Sequence, residues 1–329
     1  MQEVACTRLW PEVVRHTTPW LFRGGRGGWI GTSRSRGIWV AALALAWVLP
    51  AGAAPLQVPA LETPASGEHH TGKVIFVELV TPKLAEAEQF YGALFGWTFR
   101  EITTGSNRYA TAFLGEQPVA GLYEKPFGSG ERRQPAWLTF FAVTDVDGAK
   151  RTAAGAGAKV LSEPHNLPER GREAVLADPQ GAVFALLASK SGDPPDDLAL
   201  PGQWIWSSLI TSDADADAGF YQSIFDYEVY ELPAEAGVTH LILATDNYAR
   251  ASVNSLPSKE SRVRPHWLDY LRVDDALNAV AKVVALGGRV VVEPHVDRHG
   301  GRIAVVADPS GAPFGLMEWP ASETKAVSQ

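Results

Sequence analysis

Glu78 is the side chain whose setting most suggests chemistry. It lies in the alternating run 73–80, KVIFVELV, whose period predicts a half-buried strand. On such a strand Phe76 and Glu78 share one face, and Val77 and Leu79 share the other. A carboxyl held against apolar surroundings has its charged form penalised, so its pKa rises and it can act as a general acid or base near neutrality. The competing reading is a partly solvated carboxylate paired with Arg108 or Arg172, shaping the site without chemistry. His165 and His295 each follow a proline in Glu-Pro-His, where a loop imidazole can shuttle a proton or touch a ligand. A shared turn scaffold would preserve the same pair without function. Arg172 and Arg302 each follow a glycine at a predicted strand start; a guanidinium there can grip a carboxylate ligand or close a loop by a salt bridge. There is no Gly-rich phosphate loop, HExxH or cysteine zinc motif, and a hydrolase reading has no support.

These residues sit in a duplicated frame. Phe90-Tyr91 recurs as Phe220-Tyr221, Trp137-Leu138 as Trp267-Leu268, Glu163-Pro164-His165 as Glu293-Pro294-His295, and Asp178-Pro179-x-Gly181 as Asp308-Pro309-x-Gly311. The offset is 130 residues in every case, which requires duplication of a whole unit with few net insertions. Each unit reads as β-α-β-β-β twice over, with helices starting near Thr81, Asp145, Asp213 and Asp275 and Gly-rich helix ends. Asp-Pro-x-Gly has the residue preferences of a type I turn and predicts a hairpin. Trp137 and Trp267 are expected in the core. Ser208 stands where the first repeat has Glu78, so the two repeats cannot share that carboxyl's chemistry.

The order and spacing of Phe90-Tyr91-x4-Gly96-Trp97, Trp137-Leu138, Gly171-Arg172 and Asp178-Pro179-x-Gly181 resemble the vicinal oxygen chelate (VOC) superfamily of glyoxalases, bleomycin-resistance proteins and extradiol dioxygenases, in its tandem glyoxalase-like branch. The resemblance implies an α+β fold of two VOC domains, each made of two paired β-α-β-β-β modules curved into a cup with helices outside. It also implies metal-ligand slots on the cup-facing strands. Here those slots hold Phe76, Leu138 and Ala185 in the first repeat and Trp206, Leu268 and Gly315 in the second. None of these side chains binds a hard or borderline cation, so no metal or other cofactor is expected. The alternative is an unconventional divalent-metal site using Glu78, His165 or His295. Phe76, Trp204 and Trp206 on the implied cup face suit a flat, largely apolar ligand, or else fill the cups.

The expected organisation is a signal peptide at 1–54, a flexible lead at 55–72, one VOC domain at 73–190, a linker at 191–202, a second VOC domain at 203–320 and a tail at 321–329. Arg34 and Arg36, the apolar run 38–49 and the small residues 51–54 form the signal-peptide pattern, so the protein is expected to be exported to a periplasmic or extracellular space. More than thirty residues precede that run, which suggests a translation start inside the segment. A dozen apolar residues reach only about 18 Å as a helix, against roughly 30 Å of hydrocarbon, so no stable membrane span is expected after cleavage. Cys6 is the sole cysteine and precedes the cleavage point, which leaves a mature chain without disulfides. The net charge is −8 overall; residues 1–55 carry six Arg and two Glu, or +4, leaving −12 for the rest. That acidic body argues against nucleic acid as partner. A small-molecule ligand is expected, and a homodimer is compatible with the sequence. Three functions remain open: a metal-independent binding protein, a lyase or isomerase using Glu78, and a protein-interaction module with filled cups.

Overall fold

The computed structural model describes residues 56–104, 107–127, 134–233, 238–255, 264–297 and 300–319. The expected signal segment and C-terminal tail lie outside the described residues. The first repeat contains β1 (Val74–Thr81), α1 (Leu84–Phe95), β2 (Thr98–Thr104), β3 (Asn107–Leu114), β4 (Gln117–Glu124), β5 (Ala136–Ala142), α2 (Val146–Gly155), β6 (Lys159–Leu167), β7 (Gly171–Ala177) and β8 (Val183–Ser189). The second contains β9 (Trp204–Thr211), α3 (Ala214–Phe225), β10 (Glu228–Glu231), β11 (His240–Thr245), β12 (Tyr248–Ser255), β13 (His266–Val273), α4 (Ala276–Ala285), β14 (Arg289–Val296), β15 (Arg302–Ala307) and β16 (Pro313–Glu318). Each repeat makes one eight-stranded sheet: β2-β3-β4-β1-β5-β8-β7-β6 in the first and β10-β11-β12-β9-β13-β16-β15-β14 in the second. The strand order is the same in both. These are the expected tandem curved sheets with helices outside, and we call their concave sides cup 1 and cup 2.

Local chemistry sets the elements. In α1 the helical spacing of Leu84, Ala87, Phe90, Tyr91 and Leu94 buries one face, and Gly96 ends the helix in the left-handed region at φ 74°. Asp213 and Asp275 cap their helices by accepting the backbone N–H of Ala216 and Asn278 at 3.2 and 3.0 Å. Asp145 occupies the equivalent place before α2 but makes no such bond.

The cores are shared between repeats. α1 and the outer faces of β1, β3 and β4 pack with α4, β15 and β16, while α2, β7 and β8 pack with α3, β11 and β12. The duplicated motifs meet across this boundary. Tyr91 donates to Asp308 at 3.2 Å and receives the indole N–H of Trp137 at 3.2 Å; Tyr221 donates to Asp178 at 3.0 Å and receives that of Trp267 at 2.9 Å. The other oxygen of each aspartate accepts three successive backbone N–H groups of its own turn. The Asp-Pro-x-Gly turn is therefore a latch between repeats as well as a hairpin. At the centre of the boundary, Asp269 accepts from Ser207 at 2.6 Å and from Thr139 at 2.9 Å, and its burial pushes its pKa up to about 6.

The lead is not free, contrary to the sequence expectation. Leu56, Val58 and Leu61 are only 3, 1 and 2% exposed, because they are seated in cup 1. The linker holds the next stretch of the lead: Ser191 accepts from the N–H groups of Glu62 and Gly67, and Asp193 accepts from that of His70 at 2.7 Å. Among the described residues no helix is long and apolar enough to cross a membrane as a helix.

Candidate functional site

Cup 1 is a buried ionic cluster under an apolar cover. The β1–β4 and β3–β4 registers place Glu78, Gly121 and Thr111 in one row, with Tyr109 on the same face of β3. Only Gly fits at 121, since a Cβ there would overlap the Tyr109 hydroxyl and press on Glu78 Oε2. Glu78 is 5% exposed; burial first, then the nearby Glu173 carboxylate, pushes its pKa up to about 8 against the opposing pull of Arg170, Tyr109 and His165. Arg170 lies with its guanidinium 4.0 Å from the centre of the Phe76 ring and donates to the Pro59 carbonyl at 2.8 Å. His165 Nε2 is 3.3 Å from Glu173 Oε1. Burial works against the charged imidazole, but Glu173 and the Glu163 carbonyl outweigh it and hold the His165 pKa above its ordinary value.

Cup 2 has the same strands with a different lining. The register matches Ser208 and Ser252 to Glu78 and Gly121, and His240 and Ile242 to Tyr109 and Thr111; Ile303 stands where β7 has Glu173. Its floor is a hydroxyl chain: the Trp206 indole donates to Ser252 at 3.1 Å, Ser252 and Ser208 are 2.8 Å apart, and Tyr270 hydrogen-bonds Ser208. Around it stand Tyr230, Ile242 and Ala249. The Tyr270 ring lies over Gly315, where a Cβ would overlap it. Val292, paired with Val305 on the cup face, is 42% exposed, whereas Ser162 at the matching place in cup 1 is 8% exposed. Trp206 and Ala249 also border a groove of about 460 Å³, lined as well by Pro194, Pro195, Leu198 and Trp319.

The two cups account for some of the candidate residues and not for others. Glu78, His165 and Phe76 converge in cup 1, where Phe76 is covered by Arg170 and clusters with Leu61 and Leu138. Trp206 and Ser208 form the floor of cup 2, and His295 stands exposed at its rim opposite Ile303. Trp204 lies on the other face of β9. A register shift pairs Tyr270 with Trp206 but Leu271 with Trp204, so the bulge turns Trp204 into the core between repeats, where it donates to the Val119 carbonyl and meets Trp137 at 4.8 Å. Arg172 and Arg302 also point away from the cups. Arg172 pairs with Asp147 of α2 at 2.6 Å, and Arg302 with Glu318 at 3.4 Å. Neither pairing suggested for Glu78 forms, because Arg108 is taken by Glu101 and Glu124. Arg170, Tyr109 and Glu173 are the members of cup 1 that the sequence reading missed.

The six implied metal slots are occupied as the alignment of the repeats requires. Phe76, Leu138 and Ala185 belong to one buried apolar cluster, and Trp206, Leu268 and Gly315 line cup 2. Among the described residues no group of three His, Cys, Asp or Glu side chains is arranged to hold a metal ion. None of the six slot side chains carries a donor atom for a divalent cation.

Residues 69–186 match the Glyoxalase/Bleomycin resistance protein/Dioxygenase superfamily, and residues 207–317 match a glyoxalase-like domain. The Mycobacterium tuberculosis protein named "Putative glyoxylase CFP32" is 30% identical over 257 residues, 78% of this chain and 98% of that one. The chain belongs to the glyoxalase/bleomycin resistance protein/dioxygenase superfamily. Within that superfamily it is also similar to the anthracycline biosynthesis protein DauV of Streptomyces sp. strain C5, with 32% identity over 75% of this chain and 93% of that one. Among solved structures, the Mn(II)-bound glyoxalase from Novosphingobium aromaticivorans shares the fold at a TM-score of 0.54 and 15% identity, covering 76% of this chain and 83% of that one. A homoprotocatechuate 2,3-dioxygenase variant from B. fuscum does so at 0.56 and 14%, covering 80% and 75%.

Proposed function

We propose that this tandem glyoxalase-like protein is exported and binds a small, planar, predominantly apolar molecule in cup 2, without a metal. The observation that carries the reading is the floor of cup 2: the Trp206 and Tyr270 rings beside a chain of serine hydroxyls, with Val292 exposed on the same sheet's edge strand. Aromatic walls with a few oriented hydroxyls suit a flat ring system bearing carbonyl or hydroxyl groups. The adjoining groove of about 460 Å³ gives such a molecule room at the Trp206 end. The similarity to proteins named for anthracycline biosynthesis supports a polycyclic aromatic ligand. Calorimetric titration with the hydroxyanthraquinone alizarin tests the reading. One molecule should bind per chain, and Trp206→Ala should weaken binding by about tenfold or more. Absence of binding, or equal binding by the variant, would refute it.

A second reading rests on Glu78. A buried carboxyl whose pKa is pushed up to about 8 is protonated in part at neutral pH and suits proton transfer in a lyase or isomerase reaction. Under that reading Glu78→Gln abolishes turnover while alizarin affinity in cup 2 stays unchanged.

A further inference from the structure

The cover over cup 1 does not complement the floor beneath it. Leu56, Val58 and Leu61 present hydrocarbon, clustering with Tyr109, Leu167, Phe76 and Leu138. Among the described residues, three buried polar atoms of the same cup have no hydrogen-bond partner: Glu78 Oε1, Thr111 Oγ1 and Arg170 Nη2. Glu78 and Thr111 share one row across the sheet, and the charge of Arg170 acts on Glu78. An apolar peptide laid over such groups leaves them unmet, and a polar occupant would relieve that cost.

The lead is also held unevenly. From Glu62 onward it is tied to the linker through Ser191 and Asp193. Among the described residues, 56–61 are held by apolar burial and one hydrogen bond, from Arg170 Nε to the Pro59 carbonyl. That bond engages the very guanidinium a polar ligand would use. Among the described residues cup 2 has no such cover, because the residues 130 positions after 56–61 are the end of β8 and the linker.

We propose that residues 56–61 are a displaceable plug, and that cup 1 admits in their place a small polar molecule with a hydroxyl facing Glu78 and a carboxylate facing Arg170. The segment is anchored at 62–72 and opens from its N-terminal side, leaving the sheet intact. This goes beyond the reading of cup 2 and does not depend on it.

Hydrogen exchange of the full chain in mild denaturant tests the plug directly. Amides of 57–61 should exchange at least about a hundredfold faster than those of β7, through an opening that spares the sheet. Equal rates would show that the lead is part of the sheet's own cooperative unit and would overturn the proposal. With 3-phenyllactate as probe, exchange of 57–61 should rise while β1 and β7 become more protected. The double variant Val58→Asp, Leu61→Asp should bind 3-phenyllactate about tenfold or more tightly than the natural chain, and 3-phenylpropionate, which lacks the hydroxyl, less well. Leu61→Ala carries the same test at smaller amplitude if the double variant does not fold. No gain in 3-phenyllactate affinity on releasing the lead would overturn the proposal, and so would faster exchange throughout β1 to β8. Alizarin binding should be unchanged in all these variants, which keeps failure here separate from failure at cup 2.

Discussion

Cup 1 and cup 2 have one strand order and one helix packing, yet their interiors differ most in charge and polarity. Glu78, Tyr109, Arg170 and Glu173 of the first stand against Ser208, His240, Gly300 and Ile303 of the second. The scaffold is conserved between the repeats because its residues serve both at once: each latch joins the Tyr–Trp pair of one repeat to the aspartate turn of the other. A change in one latch would strain the boundary, while a change inside a cup is felt only there. Duplication therefore leaves the scaffold fixed and lets the cups diverge, one toward buried charge under a peptide cover and the other toward an open aromatic floor.

The comparison can be broken at its scaffold first. Asp178→Ala and Asp308→Ala each remove the acceptor for three backbone N–H groups and one tyrosine hydroxyl. Each should cost about 2 to 4 kcal/mol in urea unfolding, and the two losses should be similar. A large loss from one and none from the other would show that the latches are not equivalent.

Stability against pH distinguishes the cups. The folded-state pKa of Glu78 lies above its unfolded value of 4.5, at about 8, so the unfolded chain binds fewer protons between these limits. The contribution is full below pH 4.5 and is lost as pH rises toward 8, a change on the order of a few kcal/mol. Asp269 and Asp217 act with the same sign at about 6 and 7, so the difference between the natural chain and Glu78→Gln isolates Glu78. The natural chain should unfold at a lower temperature at pH 8 than at pH 5, and the variant should show a shallower slope. Matching slopes would contradict the burial assigned to Glu78.

A smaller effect should come from Gly315→Ala, whose methyl group would force the Tyr270 ring aside at a cost of about 1 to 3 kcal/mol, with weaker alizarin binding. Cup 1 already has Ala185 at that place. The smallest effect should come from Arg172→Ala: its partner Asp147 is on the outer face, so ligand affinity and melting temperature should both stay within experimental error.

The fold was legible in the sequence because the repeat spacing and the two periodicities agree. The strand alternation placed Glu78 and Phe76 on the cup face correctly. The same rule failed for Trp204, since a one-residue bulge reverses every side chain beyond it and leaves no mark in composition. The lead was missed because Leu56, Val58 and Leu61 are few, flanked by prolines and without period, so their burial is visible only once the cup is built. Arg170, Glu173 and Tyr109 did carry a signal. They are positions where the repeats disagree, and the disagreements cluster around Glu78 in space. Reading the duplication for its differences as well as its matches would have found them.

The central claim is that cup 2, with Trp206 in its floor, is the open ligand site and cup 1 is not. Parallel alizarin titrations of Trp206→Ala and Phe76→Ala, the matched aromatic positions, test it most directly. The account predicts a loss of about tenfold or more for Trp206→Ala and an unchanged affinity for Phe76→Ala. Equal losses, or a loss confined to Phe76→Ala, would contradict it.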